Sequence, residues 1–165
     1  MNVIEIMSSP AHTCVTSDTL ARAAQLMWEH DCGALPVVDG TGRAVAMITD
    51  RDICMAAYLQ GRPPADIAVM AAASRCLYSV QPNDAVEVAL AKMRAHQTRR
   101  LPVIDERGNL IGVISLADII RASGAGEGPG SIVIAAALAD ISRSGTEVGR
   151  GMSRRASGEL EHALA

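Results

Sequence analysis

The chain has 165 residues, 49% of them hydrophobic, and a formal net charge of −3 at pH 7. This length and composition allow one substantial buried core and exclude disorder for most of the chain. Only 2% of the residues are aromatic, and the net charge is negative. Because the chain offers neither stacking platforms nor an overall attraction for phosphate, we expect no nucleic-acid partner.

The first residues, MNVIEIM, lack the basic start and long apolar region of a secretory signal, and no segment is apolar over the length needed to cross a bilayer. We therefore expect a cytoplasmic protein with no membrane partner. The cysteines form no C-x-x-C pair, which favours free thiols over a disulfide framework. They are Cys14, Cys32, Cys54 and Cys76.

Internal duplication organises the sequence. The segments GALPVVD at 33–39 and RRLPVID at 99–105 are copies, and the same shift of 66 positions relates Asp52 to Asp118 without a gap. Upstream, we expect the register to loosen to a shift of about 63, since loops absorb differences in length at little cost. We predict a first repeat over residues 1–65, a second over residues 66–123 and an extension over residues 124–165.

In the first repeat, apolar residues recur at helical spacing behind Asp18, the predicted N-cap, and the helix is expected to end near His30. Apolar runs at 34–38 and 44–48 flank a glycine-containing turn, which predicts a strand, a tight turn and a second strand. A second helix follows and stops around Gly61. Each repeat is therefore predicted to be a βαββα unit.

The second repeat has the same order of patterns. Asp84 and Glu87 are spaced as a capping box for a helix running to His96. The second repeat continues with predicted strands at 100–104 and 110–115 and a short helix at 116–121. The extension is predicted to contain a glycine-rich linker at 123–130, an apolar helix at 132–141 capped by Ser131, and a disordered tail. The predicted fold class is α/β (α+β), with two βαββα repeats and a C-terminal helical and disordered extension.

Each repeat ends its last strand with a hydroxyl residue and has a carboxylate three positions later: Thr49 with Asp52, and Ser115 with Asp118. A capping box explains this pattern, because it satisfies backbone N–H groups at the start of a helix. The pattern also suits a nucleotide, since a helix N-terminus attracts phosphate and a carboxylate accepts two hydrogen bonds from the diol of ribose. The two interpretations are compatible.

These endings, with LPVVD at 35–39 and LPVID at 101–105, resemble tandem cystathionine β-synthase (CBS) domains over about residues 3–122. The segments EHDCGALP at 29–36 and HQTRR at 96–100 are similar to small bacterial proteins that consist of little more than one CBS pair, some of them associated with dormancy or stress. The resemblance implies pseudo-twofold packing of the repeats. It also implies a regulatory adenosine ligand, AMP, ADP, ATP or S-adenosylmethionine, in clefts between them, and no catalytic cofactor.

The resemblance also assigns roles to the residues of the two endings. Asp52 and Asp118 match the position that holds the ribose hydroxyls. Thr49 and Ser115 match the hydroxyl that contacts ribose or phosphate.

Three further positions are assigned by resemblance. Arg99, three residues before the proline of its strand, matches a position that contacts phosphate, whereas Gly33 is its counterpart in the first repeat. The cleft with Arg99, Ser115 and Asp118 is therefore expected to be the better nucleotide site. Ser79 and Val80 are expected to line the adenine pocket.

An enzyme would need a nucleophile with a base, or an open metal site, and the sequence contains no recognisable set. His30 and His96 occupy equivalent helix ends, which favours packing or helix capping over catalysis. We therefore expect a non-catalytic sensor.

Two other functions stay open. The first is a ligand-free structural or partner-binding protein in which the motifs are only caps; homodimerisation through the helices is expected by resemblance, and the sequence names no protein effector. The second is a metal- or redox-dependent stress protein. His12 and Cys14 are types of residue that bind metals, but two ligands do not make a site, so this function requires Cys32, Cys54, Cys76 and the other histidines to converge in space.

Overall fold

The computed structural model describes residues 1–74, 76–124, 126 and 128–142. The first repeat contains β1 Cys14–Val15, α1 Leu20–Glu29, β2 Ala34–Val38, β3 Ala44–Thr49 and α2 Asp50–Gln60. The second contains α3 Val86–Ala95, β4 Arg100–Ile104, β5 Leu110–Ser115 and α4 Leu116–Gly124, and α5 Ser131–Ile141 follows it. The predicted βαββα order is confirmed in the first repeat. In the second, a single parallel bridge between Val80 and Val103 stands in place of the first strand.

The two repeats meet through their hairpins with pseudo-twofold symmetry. β2 pairs with β1 in parallel and with β3 antiparallel, and β4 pairs antiparallel with β5. At the hairpin turns, Ala44 N donates to Gly108 O (3.3 Å) and Leu110 N donates to Gly42 O (3.2 Å). The two bonds are related by the shift of 66 positions. The φ angles of Gly42 and Gly108, 84° and 85°, lie in the left-handed region that favours glycine.

Each repeat is completed by a segment that precedes the other one. Val3 N donates to Asp84 O and Val69 N donates to Asp18 O, both at 2.9 Å. These bonds keep the shift of 66 positions, so the expected shift of about 63 is wrong. The sequence comparison aligned similar side chains, whereas the structure aligns the fully buried valines and the backbone pairing of each segment. The boundary between residues 65 and 66 stays a prediction.

The described part of the chain has two aliphatic cores, one for each repeat. The first includes Leu20, Met27, Leu35, Ile48, Ile67 and Val69. The second includes Val3, Leu90, Met93, Leu101, Ile114 and Ile119, with Ala137 and Ile141 of α5. Because Val3 belongs to the second core and Val69 to the first, the chain interlocks the repeats.

The first helix of each repeat begins differently from the prediction. Thr19, not Asp18, is the N-cap of α1, and its hydroxyl accepts from the N–H three residues later (3.3 Å). α3 begins after Ala85 without a side-chain cap, so the predicted capping box of Asp84 and Glu87 is wrong. Asp18 and Asp84 instead each accept a hydrogen bond from the N–H three residues before them (2.9 Å), which stabilises the turn ahead of the helix.

α5 packs against α3, and Arg94 Nε donates to Asp140 Oδ2 at 2.9 Å. Gly130, rather than Ser131, is its N-cap, and α4 extends through Gly124, beyond its predicted end. The predicted disordered tail lies outside the described residues. Within residues 1–142, the described helices are too short or too polar to cross a membrane.

Candidate functional site

The two strand-to-helix junctions have the same hydrogen-bond pattern. Thr49 N and Oγ1 donate to Asp52 Oδ2 (2.9 and 2.6 Å), and Asp52 N donates back to Thr49 Oγ1 (3.2 Å). Ser115 and Asp118 repeat these bonds at 2.8, 2.6 and 3.2 Å. The predicted capping boxes are therefore present, and each fixes its helix N-terminus through one carboxylate oxygen, Oδ2.

The other carboxylate oxygen, Oδ1, distinguishes the junctions. Arg121, one turn further along α4, donates from Nη2 to Asp118 Oδ1. The equivalent residue of α2 is Met55, which cannot form this ion pair. Asp118 is 6% exposed and is the one charged residue buried within the described ranges, whereas Asp52 is half-buried. The carboxylate of the second repeat is thus buried and paired with a cation.

A cavity of about 360 Å³ opens at Asp118 and is bordered by both repeats. This volume lies in the range of small-molecule sites. The polar residues around it include His12, His30, Asp31, Arg100, Ser115 and Arg121. Leu35, Pro36 and Val113 supply apolar surface. The cavity therefore combines a helix N-terminus, a buried carboxylate and two arginines with an aliphatic wall.

The histidines at the helix ends form stacked pairs. His30 is the C-cap of α1 and stacks on His12, with ring centroids 3.5 Å apart. His96 is the C-cap of α3 and stacks on Tyr78 at the same centroid distance. Because the two pairs occupy equivalent positions in the repeats, their geometry accords with the expected packing and capping roles of His30 and His96.

Arg99 does not border the cavity at Asp118. With Ser115, it borders a second cavity of about 340 Å³, whose other residues include Arg100, Leu116 and Leu138. Arg100 borders both cavities, and the grouping of Arg99 with Ser115 and Asp118 in one nucleotide site stays a prediction. Arg99 precedes β4 on the side that faces α4 and α5, where its carbonyl accepts from Leu116 N (2.9 Å).

The counterpart of Arg99, Gly33, borders a third cavity of about 420 Å³ together with Asp31 and Asp50. A Cβ atom at Gly33 would lie 3.0 Å from Asp50 Oδ2. The described residues that border this cavity include two carboxylates and no lysine or arginine. This part of the first repeat therefore lacks the guanidinium that Arg99 supplies in the second.

Ser79 and Val80 do not border the cavity at Asp118. Val80 is 1% exposed and packs in the second core, and the carbonyl oxygen of Ser79 accepts from Lys92 Nζ (2.7 Å). The segment around His12 borders the cavity instead. Sequence reasoning missed His12, whose contact is long-range. It also missed Arg121, although a spacing of three residues from Asp118 on one helix was a usable signal.

The cysteines are free thiols, as predicted. Burial raises the pKa of the Cys14 thiol to about 11, and Cys14 packs in the first core, whereas His12 borders the cavity at Asp118. Cys14 therefore serves the packing of the first core, where its thiol donates to Pro36 O (3.9 Å). No group of three histidine, cysteine or carboxylate side chains suited to a metal ion occurs in the described part of the chain.

Comparison with known proteins places this geometry in a family. Residues 3–58 and 68–125 match the CBS domain model. Hypoxic response protein 1 of Mycobacterium tuberculosis is 41% identical over 110 residues, which cover 66% of this chain and 76% of the relative.

Two solved structures have the same fold over most of the chain. The crystal structure of Hypoxic Response Protein I, with two coordinated zinc ions, matches with a TM-score of 0.68 and 36% identity and covers 73% of this chain and 98% of that one. The CBS domain pair of protein MJ0100, in complex with 5′-methylthioadenosine and S-adenosyl-L-methionine, matches with a TM-score of 0.69 and 25% identity and covers 76% of this chain and 98% of that one. The chain therefore belongs to the CBS-domain family and folds as a pair of CBS repeats.

Proposed function

We propose that this CBS pair is a non-catalytic regulatory module that binds an adenosine-containing ligand in the cavity at Asp118. The observation that carries the proposal is the convergence, around about 360 Å³, of Asp118, Ser115, Arg100 and Arg121 with an aliphatic wall. The ligand class comprises AMP, ADP, ATP and S-adenosylmethionine.

Each part of such a ligand has a chemical counterpart in the cavity. The carboxylate of Asp118 accepts hydrogen bonds from the ribose diol. The N-terminus of α4 and the guanidinium of Arg100 favour phosphate. Adenine packs against Leu35, Pro36 and Val113. The ligands of MJ0100, 5′-methylthioadenosine and S-adenosyl-L-methionine, share the adenosine part and support this class.

Regulation follows from the position of the cavity between the repeats. A ligand that contacts both repeats changes the equilibrium between their arrangements by the difference in its affinity for them. The proposed output is a change in repeat packing that a protein effector recognises.

Isothermal titration calorimetry tests the proposal. Nucleotide-stripped protein is titrated with AMP, ATP and S-adenosylmethionine, and the titrations are repeated on Asp118→Ala and Asp52→Ala. Both substitutions remove a capping box, so Asp52→Ala controls for the loss of the cap. We expect saturable binding that Asp118→Ala abolishes and Asp52→Ala largely retains. Absence of binding to the folded protein would contradict the proposal and leave the motifs as helix caps.

A partner-binding homodimer is the second candidate. Trp28, Tyr58 and Ile132 lie on three different helices and are 87%, 78% and 84% exposed. Large apolar side chains exposed on helices favour an interface. Trp28→Arg introduces the residue type found at the equivalent position of the second repeat, Arg94. Light scattering should then report a dimer for the unmodified chain and a monomer for this variant; an unchanged mass would exclude Trp28 from an interface.

The zinc ions of Hypoxic Response Protein I support a third candidate, a metal-dependent stress function. In this chain, His12, His30 and Cys32 border one cavity without forming a three-ligand group within the described residues. Elemental analysis of protein purified without chelators distinguishes this function from nucleotide binding. Stoichiometric zinc would support it.

A further inference from the structure

We infer that Arg121 makes the cavity at Asp118 select phosphate-bearing adenosine ligands over uncharged ones. The inference rests on the proposed function, because it assumes that the ribose of the ligand reaches Asp118.

Both carboxylate oxygens of Asp118 already accept hydrogen bonds. Oδ2 accepts from Ser115 N (2.8 Å) and Ser115 Oγ (2.6 Å), and Oδ1 accepts from Arg121. A ribose diol that approaches this carboxylate therefore competes with the guanidinium. Since Asp118 is 6% exposed, replacing a cation by neutral hydroxyl groups exchanges a charge-assisted hydrogen bond for weaker ones in a place that water reaches poorly.

The side chain of Arg121 is 72% exposed and borders the same cavity as Asp118, so it can turn without disturbing the core. A ligand phosphate offers the guanidinium a second anion in the bidentate geometry that arginine prefers. A phosphorylated ligand thus replaces the ion pair that it disrupts, whereas adenosine or a neutral thioether of adenosine does not.

The other charged and titratable groups around the cavity do not supply this selectivity by themselves. Arg100 attracts phosphate, but the carboxylate of Asp31 opposes it, and His12 and His30 are stacked on each other. Once ribose occupies Asp118, Arg121 is the cation that has lost its partner. The preference for phosphate therefore depends on Arg121.

The first repeat provides the matched comparison. Met55 stands where Arg121 stands in the second repeat, and Oδ1 of Asp52 accepts no hydrogen bond from the described residues. Arg121→Met therefore converts one junction to the chemistry of the other, while the capping box of Ser115 and Asp118 is left in place.

The experiment measures the dissociation constants of AMP and adenosine by calorimetry for the unmodified chain, Arg121→Met and Arg121→Lys. Arg22→Met, which removes an exposed arginine of α1 that borders none of the three cavities described above, is the control. We expect AMP to bind more tightly than adenosine, and Arg121→Met to reduce the ratio of the two affinities about tenfold by weakening AMP and strengthening adenosine. Arg121→Lys, which keeps the positive charge but not the bidentate geometry, should retain part of the ratio, and Arg22→Met all of it.

An unchanged ratio in Arg121→Met, with AMP still bound, would overturn the inference and leave the proposed function intact. Failure of the unmodified chain to bind AMP would overturn both. Circular dichroism of each variant verifies folding, and if Arg121→Met is unfolded, Arg121→Gln supplies the same comparison with a neutral polar side chain.

Discussion

The junction of Thr49 with Asp52 and the junction of Ser115 with Asp118 share one set of backbone and hydroxyl bonds. Their surroundings differ, because Arg121 pairs with Asp118 while Met55 lies at the equivalent position beside Asp52. The motif itself therefore fixes the start of a helix, whereas a residue outside the motif decides which carboxylate is paired with a cation.

The same contrast extends to the strand before each junction. Arg99 and Arg100 in the second repeat correspond to Gly33 and Ala34 in the first. Duplication has preserved the packing positions and the aspartates of the junctions and turns, and has changed the positions that carry arginine in the second repeat. We therefore expect matched substitutions to have similar effects on stability and different effects on ligand binding.

The largest effect is expected from the two cores. Leu35→Ala and Leu101→Ala each remove a side chain that is 1% exposed, and each should lower the free energy of unfolding by about 2–5 kcal/mol. Because Val3 and Val69 interlock the repeats, either variant should unfold in one transition with an unchanged m value in urea, followed by far-UV circular dichroism. A biphasic curve would show that the repeats unfold independently.

A smaller effect is expected from the caps. Thr49→Ala and Ser115→Ala should each cost about 1 kcal/mol of unfolding free energy, the usual effect of losing an N-cap hydroxyl. Ser115→Ala should cost more, because it removes a donor from the buried Asp118. Urea unfolding of the two variants measures the difference. A greater loss in Thr49→Ala would contradict the distinction between the junctions.

The smallest effect is expected from the turn carboxylates. The hydrogen bond from the Thr41 side chain lowers the pKa of Asp39, and that from the Asn109 side chain lowers the pKa of Asp105. A lowered pKa in the folded state stabilises the fold above the unfolded-state value of about 3.9, and this contribution is lost as pH falls through the folded pKa. Asp39→Asn and Asp105→Asn should each make stability less sensitive to acid below about pH 4.

Carboxyl NMR titration checks this prediction directly. Both residues should titrate below the ordinary range of aspartate, and by similar amounts if the two turns are equivalent. Midpoints at or above about pH 3.9 would contradict the hydrogen-bond geometry of the turns.

Local patterns were enough to predict the repeats, the hairpins and the capping boxes. Thr49 with Asp52 and Ser115 with Asp118 each lie within one helical turn, so their spacing predicts a capping box. The duplicated apolar runs, each pair separated by a turn, predict the pairing of each hairpin. The family followed from the same residues.

Features that depend on distant contacts were predicted less well. Asp84 and Glu87 have the spacing of a capping box, but the Asp84 carboxylate accepts a hydrogen bond from the N–H of Gln81 in the preceding turn. The sequence pattern alone does not distinguish a capping bond from this turn bond. Arg100 borders both the cavity at Asp118 and the cavity beside α4 and α5, whereas Arg99 borders only the second of these two, and no local pattern distinguishes the neighbours. His12 belongs to the first repeat and borders the cavity only because the two repeats pack together, so no sequence motif indicates its position.

We propose that the second junction, and not the first, holds a phosphorylated adenosine ligand. The decisive measurement is a crystal structure of the chain with AMP. We expect one nucleotide with its ribose hydroxyls on Asp118 and its phosphate paired with Arg121, which has left the carboxylate. A nucleotide bound at Asp52 instead, or bound at Asp118 with the pair of Asp118 and Arg121 still intact, would contradict it.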